Sequence, residues 1–271
     1  MFVDEDDDVP AVQKTNVKEK TSIRYYSVEL PSNGKLGYSS EVEYRDILVG
    51  DEKILSTATG KNYQKVLGKI LKSLLKDSDI YDSLTIYDRD FLLLWIWANN
   101  YSTKKEFEIT CPLCGEKDNV IIDMTEIDIN EISDEYDNSF ELHISNGDTV
   151  KLRLITTRDE MIADEFISKN KEYYADYIKL VLSMDFGKVM PLPQKIKYVE
   201  ENFTGRDMGF VRAFHEYFQY GIDDKMEHNC PSCEGVTSHE IPFSFEIFLP
   251  TLRDDFKKML QSNKKSRNKS N

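Results

Sequence analysis

Positive charge is scarce in this chain: 35 lysines and arginines stand against 49 acidic residues, a formal net charge of −14. A protein that grips nucleic acid through its phosphates works with a positive footprint, so general nucleic-acid binding is disfavoured. The one basic cluster, Lys264, Lys265, Arg267 and Lys269 among serines and asparagines, reads as a solvated tail. The acidic run Asp4 to Asp8 is its counterpart at the other end. Long apolar runs are missing as well. The longest, Phe91 to Ala98, is far below the roughly 20 residues that cross a bilayer. Met1 leads into acid rather than into a basic end and an apolar stretch, so no targeting segment is expected. No phosphate-cradling glycine loop, dinucleotide fingerprint, two-histidine zinc protease motif or nucleophile elbow occurs. Cysteine is limited to four residues, and in a reducing cytosol such thiols stay available as metal ligands.

What is present describes a folded protein. Hydrophobic residues make up 40% of the 271 and aromatics 11%, enough for one large domain or two small ones with tails. Ile23 to Leu30 reads as a strand, broken by Pro31-Ser32-Asn33-Gly34, and Glu41 to Ile47 resumes extended structure. From Gly50-Asp51-Glu52 the period changes, and Val66, Leu67, Ile70, Leu71, Leu74 and Leu75 recur at helical spacing. Asp88-Arg89-Asp90 opens a further helix whose buried body is Phe91 to Trp97. After a polar break come strand Phe107 to Thr110, a Cys-x-x-Cys and strand Val120 to Ile122.

The order then returns. Thr149 to Ile155 reads as a strand, and Thr157-Arg158-Asp159-Glu160 is a capping-box match, Thr157 bonding forward and Glu160 reaching back, that opens a helix through Ile167. Tyr173 to Met184 and Lys195 to Glu201 are helical, and Gly205-Arg206-Asp207 starts a helix through Tyr220. Met226 to Asn229, the second Cys-x-x-Cys and strand Glu240 to Phe245 follow. Asp51-Glu52 thus matches Asp159-Glu160, Arg89-Asp90 matches Arg206-Asp207, and the two cysteine pairs match each other. A divergent duplication is expected, in two halves packed with approximate two-fold symmetry, because the period is too long for a solenoid. The fold class is α+β: an acidic leader over 1–22, a first half over 23–130, a second over 131–250, and a C-terminal amphipathic helix with a basic tail over 251–271.

Two thiolates separated by two residues can reach one ion from a tight turn, and a closed tetrahedral site needs two such pairs. Cys111 and Cys114 with Cys230 and Cys233 supply them and leave no cysteine over. The gap between the pairs far exceeds that of a compact zinc ribbon, but under duplication each half gives one knuckle to a shared ion. Zinc is the expected metal, with iron as the alternative, since Cys-Pro-x-Cys-Gly also suits a mononuclear iron centre. Gly115 stands where such a knuckle needs a left-handed residue. In the second knuckle Glu234 holds that position and Gly235 comes one later, which predicts a looser turn. Redox-active dithiols are the competing reading, though those sit at helix N-termini and strands flank these pairs. His228 and His239, beside the second pair, read as surface or packing residues. With four protein ligands no position is left for substrate, so the metal is structural.

Asp51, Glu52, Asp90, Asp159, Glu160 and Asp207 fall at helix starts, where capping accounts for them without catalysis. Trp95 and Trp97 read as helix core rather than a stacking platform. Near the end, Ile241 to Pro250 is rich in large apolar residues, and Thr251 can cap an amphipathic helix with Leu252, Phe256, Met259 and Leu260 on one face. That stripe either packs on its own core or docks on a partner.

Leu30-Pro31-Ser32-Asn33-Gly34, the strand ending at Asp51-Glu52, the Asp88-Arg89-Asp90 helix, Cys111-Pro-Leu-Cys114-Gly115 and Cys230-Pro-Ser-Cys233 followed by Phe243 to Pro250 resemble the T-even-type phage baseplate hub and hub-assembly chaperone family. The resemblance covers roughly residues 23 to 250. It implies a non-enzymatic protein that helps build the hub of a contractile tail, in the host cytoplasm during assembly or in the virion baseplate. Its partners are then other hub or tail proteins, not nucleic acid, membrane or a small-molecule substrate, and the four cysteines are its site residues. Two other classes fit the residues: a cytosolic zinc-ribbon adaptor of a transcription or replication assembly, and a carboxylate-dependent enzyme.

Overall fold

A computed structural model describes residues 23–59, 62–101 and 103–241. The acidic leader, the basic tail, Thr251 and its helix, and Phe243 to Pro250 lie outside the described residues.

The chain opens with antiparallel strands β1 (Tyr25–Glu29) and β2 (Glu41–Arg45), in which Val28 pairs with Val42. Alternation turns Val42 and Tyr44 inward and leaves Glu41 and Glu43 in solvent. Helices α1 (Val49–Leu55) and α2 (Tyr63–Leu74) follow. The expected apolar stripe on α2 is buried, from Val66 to Leu74. A 3-10 turn, Asp79–Ser83, leads to α3 (Ile86–Asn100), in which every residue from Phe91 to Ala98 is buried except Trp95. Trp97 is core, whereas Trp95 keeps an edge in solvent and donates its indole N–H to the Tyr44 hydroxyl at 3.1 Å.

A hairpin of β3 (Lys104–Thr110) and β4 (Lys117–Asp123) carries the first knuckle. Then come β5 (Ile129–Asn130), β6 (Glu141–His143) and β7 (Thr149–Leu152), followed by α4 (Thr157–Lys169) and α5 (Ala175–Leu182). β8 (Met184–Asp185) pairs with β7. α6 (Leu192–Asn202) and α7 (Gly205–Tyr217) precede β9 (Gly221–Ile222), which pairs with β5. The hairpin of β10 (Lys225–Asn229) and β11 (Val236–Glu240) carries the second knuckle. The fold is therefore mixed, helices with small antiparallel sheets, as expected.

Several boundaries differ from the sequence reading. The strand at Thr149 stops at Leu152, and Met184 belongs to β8 rather than to a helix from Tyr173. α7 ends at Tyr217, so Tyr220 lies beyond it. The cap of α4 is one residue earlier than expected. Thr156 accepts the Asp159 N–H at 3.3 Å and Asp159 accepts the Thr156 N–H at 2.9 Å, because the shorter aspartate fits the N3 position. Thr157 is released to donate its hydroxyl to the Tyr81 carbonyl, and Glu160 to pair with Arg89. Glu52 and Asp90 are not caps either: Glu52 accepts the Tyr101 hydroxyl at 2.9 Å and Asp90 pairs with Arg89 at 2.9 Å.

Buried side chains form two clusters. One gathers β1, β2, α1 to α3 and the first hairpin, with Ile241 joining it, and the other gathers β6 to β8 and α4 to α7. The two share local devices. Arg45 grips both oxygens of Asp51 at 2.7 and 3.0 Å, and Arg153 grips both of Asp159 at 2.5 and 2.8 Å. Burial opposes each carboxylate's charge, but its guanidinium and cap amide hold it below the ordinary range. Thr85 caps α3 with Asp88 at the third helical position, and Thr204 caps α7 with Asp207 there. Asp88 accepts the Ser32 amide at 3.3 Å and Asp207 the Ser145 amide at 3.1 Å, so Ser32-Asn33-Gly34 and Ser145-Asn146-Gly147 play one part twice. This sets Asp88, not Asp90, opposite Asp207: the Arg-Asp pairing drawn from sequence was shifted by two residues. Where the clusters meet, Thr157 donates to the Leu84 carbonyl at 2.9 Å, Ile86 to the Ile155 carbonyl at 3.2 Å, and Thr85 shares a 2.5 Å hydrogen bond with Tyr220.

Candidate metal centre

The two cysteine hairpins turn by the same hydrogen bonds. Cys111 N–H donates to the Glu116 carbonyl at 2.8 Å and Gly115 N–H to the Cys111 carbonyl at 2.9 Å; Cys230 donates to Gly235 at 3.0 Å and Glu234 to Cys230 at 2.9 Å. Gly115 has φ +77° and Glu234 φ +57°. The second knuckle is not looser, as the displaced glycine had suggested. Glu234 adopts the left-handed conformation despite its Cβ, at the steric cost that glycine avoids. Gly235 serves a different need: a Cβ there would lie 2.4 Å from Leu113 Cδ1 of the other knuckle. It is a point of close approach between the hairpins.

That approach brings all four thiols together. The Sγ atoms of Cys111, Cys114, Cys230 and Cys233 lie within 4.8 Å of one another. Cys111 faces Cys233 at 3.9 Å and Cys114 faces Cys230 at 3.6 Å, so the first cysteine of each knuckle meets the last of the other. Cys111 and Cys230 are buried, and Cys114 and Cys233 form the exposed rim. A tetrahedron with metal–sulfur bonds near 2.3 Å has edges of about 3.8 Å, which the two cross-pairs approach.

The electrostatics suit a cation. The backbone N–H of Cys114, with that of Leu113, draws the Cys111 thiol down to about 7. At Cys114 the Glu116 amide pulls the same way, but burial and the neighbouring thiols prevail and push it up to about 12. Cys233 is likewise raised, its Gly235 amide outweighed by burial and by its neighbours. The Cys111 thiolate forms readily while Cys114 and Cys233 resist a further negative charge beside it, and a bound cation relieves that repulsion.

One residue that sequence reasoning missed joins the hairpins beside the thiols. Asp118 of β4 lies 3.1 Å from His228 Nε2 of β10. His239 instead bonds Thr237 at 2.7 Å. Neither histidine belongs to the thiol cluster. Nothing in the spacing marks Asp118, because its partner lies across a contact that exists only after the hairpins meet.

The carboxylates at the helix starts do not gather around this centre. Asp51, Asp88, Asp159 and Asp207 are each committed to a helix N-terminus in a different place. Asp88 is fully buried, and burial raises its pKa against the opposing Tyr38 hydroxyl and Ser32 amide.

An α+β chain with two cysteine knuckles converging from distant hairpins is the class that sequence and geometry define. The sequence model of the T4 bacteriophage base plate protein family matches residues 23–249. The chain belongs to that family and is a phage base plate protein. Comparison with curated proteins and with solved structures gave no match.

Proposed function

We propose that this protein is a non-enzymatic component of the baseplate hub, or a chaperone of hub assembly, and that its four cysteines hold one structural zinc clamping two duplicated halves, 23–130 and 131–250. The observation that carries the reading is the convergence of four thiols within 4.8 Å from hairpins more than a hundred residues apart. Four protein ligands close the coordination shell, so the ion braces the fold and offers no position to a substrate. Such a site contributes apparent binding energy on the order of 10 kcal/mol, comparable with the stability of a whole domain. The capping aspartates support a non-catalytic role, since each is occupied by backbone or guanidinium donors. The partners are other hub or tail proteins, met in the host cytoplasm during assembly.

Elemental analysis of gently purified protein tests the clamp: one zinc per chain is expected, and neither zinc nor iron would end the reading. Mass spectrometry of purified particles separates the two roles. Stable copies in the baseplate make it a hub component; presence in assembly intermediates and absence from virions make it a chaperone.

A further inference from the structure

The duplication sets α3 and α7 in register. One spacing separates Thr85 from Thr204, Asp88 from Asp207 and Cys111 from Cys230, which are equivalent by hydrogen bonding and by knuckle geometry. That spacing carries Phe91, Leu94 and Ala98 of α3 onto Phe210, Ala213 and Tyr217 of α7. The α3 residues are 8%, 3% and 8% exposed. On α7, Phe210 is 49% and Tyr217 64% exposed, and Ala213 is exposed between them. The stripe has helical spacing, so one helix face is covered by apolar chain in the first half, whereas among the described residues of the second it meets polar groups, the Arg206 guanidinium over the Phe210 ring and the Glu135 carboxylate on the Tyr217 hydroxyl.

What covers α3 is visible. Met124, Ile127 and Ile129, directly after the first cysteine hairpin, line one small apolar cavity with Phe91, Leu94 and Trp95. The same spacing places Phe243 opposite Met124, Glu246 opposite Ile127 and Phe248 opposite Ile129, in the largely apolar stretch Phe243 to Leu249 that follows the second hairpin. The position equivalent to Trp95, Phe214, is already covered by Tyr136 and Phe140, with ring centroids 6.3 and 5.0 Å away. The part of the α7 face without an apolar cover among the described residues is thus confined to Phe210, Ala213 and Tyr217.

Reach permits the same cover. Ile241 donates its N–H to the Asp224 carbonyl at 2.6 Å. From Tyr217 to Asp224 the chain stretches at most about 25 Å, and residues 242–249, extended, reach about 26 Å. We infer that the apolar segment 243–249 of this chain docks in cis on the Phe210–Ala213–Tyr217 face of α7, as residues 124–129 do on α3. The inference rests on the duplication proposed above.

Photo-crosslinking of the full chain tests it, with p-benzoylphenylalanine in place of Phe210 and, as control, in place of the fully exposed Val189. The expected product from position 210 is an intramolecular cross-link to residues 242–250, with none from position 189. The double variant Phe243→Asp, Phe248→Asp should lower its yield about tenfold or more and leave bound metal per chain unchanged. No cross-link to that segment, a cross-link only between two chains, or a yield indifferent to the double variant would overturn the inference. Metal content separates the two readings: a cross-link without bound metal upholds the docking and sinks the clamp, and bound metal without the cross-link does the reverse.

Discussion

His215 makes the second cluster sensitive to acid in a way that can be worked out in advance. It is buried on α7, and its Nε2 lies 2.9 Å from Ser183 Oγ. That hydroxyl gives its own proton to the Leu180 carbonyl at 2.7 Å, so Ser183 accepts from Nε2–H and the ring is neutral. Its buried Nδ1 has no hydrogen-bond partner. A proton added there is opposed first by burial and then by Arg153, with Asp159 only partly offsetting them, and the pKa falls from 6.5 to about 4. The folded state therefore binds fewer protons than the unfolded between those values. Stability is full above the unfolded pKa and lost as pH falls through the window, by roughly 3 kcal/mol at about 1.4 kcal/mol per pH unit. The assay is urea denaturation followed by far-UV circular dichroism at a series of pH values from 7.5 to 4 for the parent and for His215→Gln, whose amide can still donate to Ser183. The four-cysteine cluster and the carboxylates are common to both proteins and cancel in the difference. The parent should lose about 3 kcal/mol more than the variant across the window; equal losses would refute the reasoning.

Three further outcomes follow from the geometry. Glu234→Gly should stabilise the second knuckle by up to about 1 kcal/mol and Gly115→Ala should weaken the first by about 1–2 kcal/mol, since both positions are left-handed; titration of each variant with zinc against a competing chelator reads both. Arg89→Met should cost about 3 kcal/mol or more, because it strands the partly buried Glu160 beside Asp90, and adding Glu160→Gln should recover part of that in a double-mutant cycle. Gly68→Ala should destabilise by about 1 kcal/mol despite its helix propensity, since the new Cβ would stand 2.8 Å from Oη of the buried Tyr81; thermal melting checks the sign.

Much of the architecture was legible because it follows from local rules. The apolar stripe of α2, the aspartates at helix starts and the two Cys-Pro-x-Cys turns are written in short spacings that any chain must obey. What misled were choices between neighbours of like chemistry. Thr156 and Thr157 can both cap, and only the tertiary contact of Thr157 with Tyr81 releases it from that role. Arg89-Asp90 and Arg206-Asp207 look alike as dipeptides, yet Arg89 is spent on Glu160 across the join while Asp207 holds the Ser145 turn. The short strands β5 and β9 carry no periodic signal, since each is two residues long and exists through its partner.

By itself, then, the sequence determined that the four thiols sit in two Cys-Pro-x-Cys turns and, to within a residue or two, where helices begin, because those depend on residue type and on neighbours a few positions away. Only the tertiary structure decided that four thiols share one point, that Gly235 is spent on letting Leu113 pass, and that one α7 face differs from its α3 counterpart. Those are distances between segments far apart in the chain, and they are fixed by how the two cores pack rather than by any local preference.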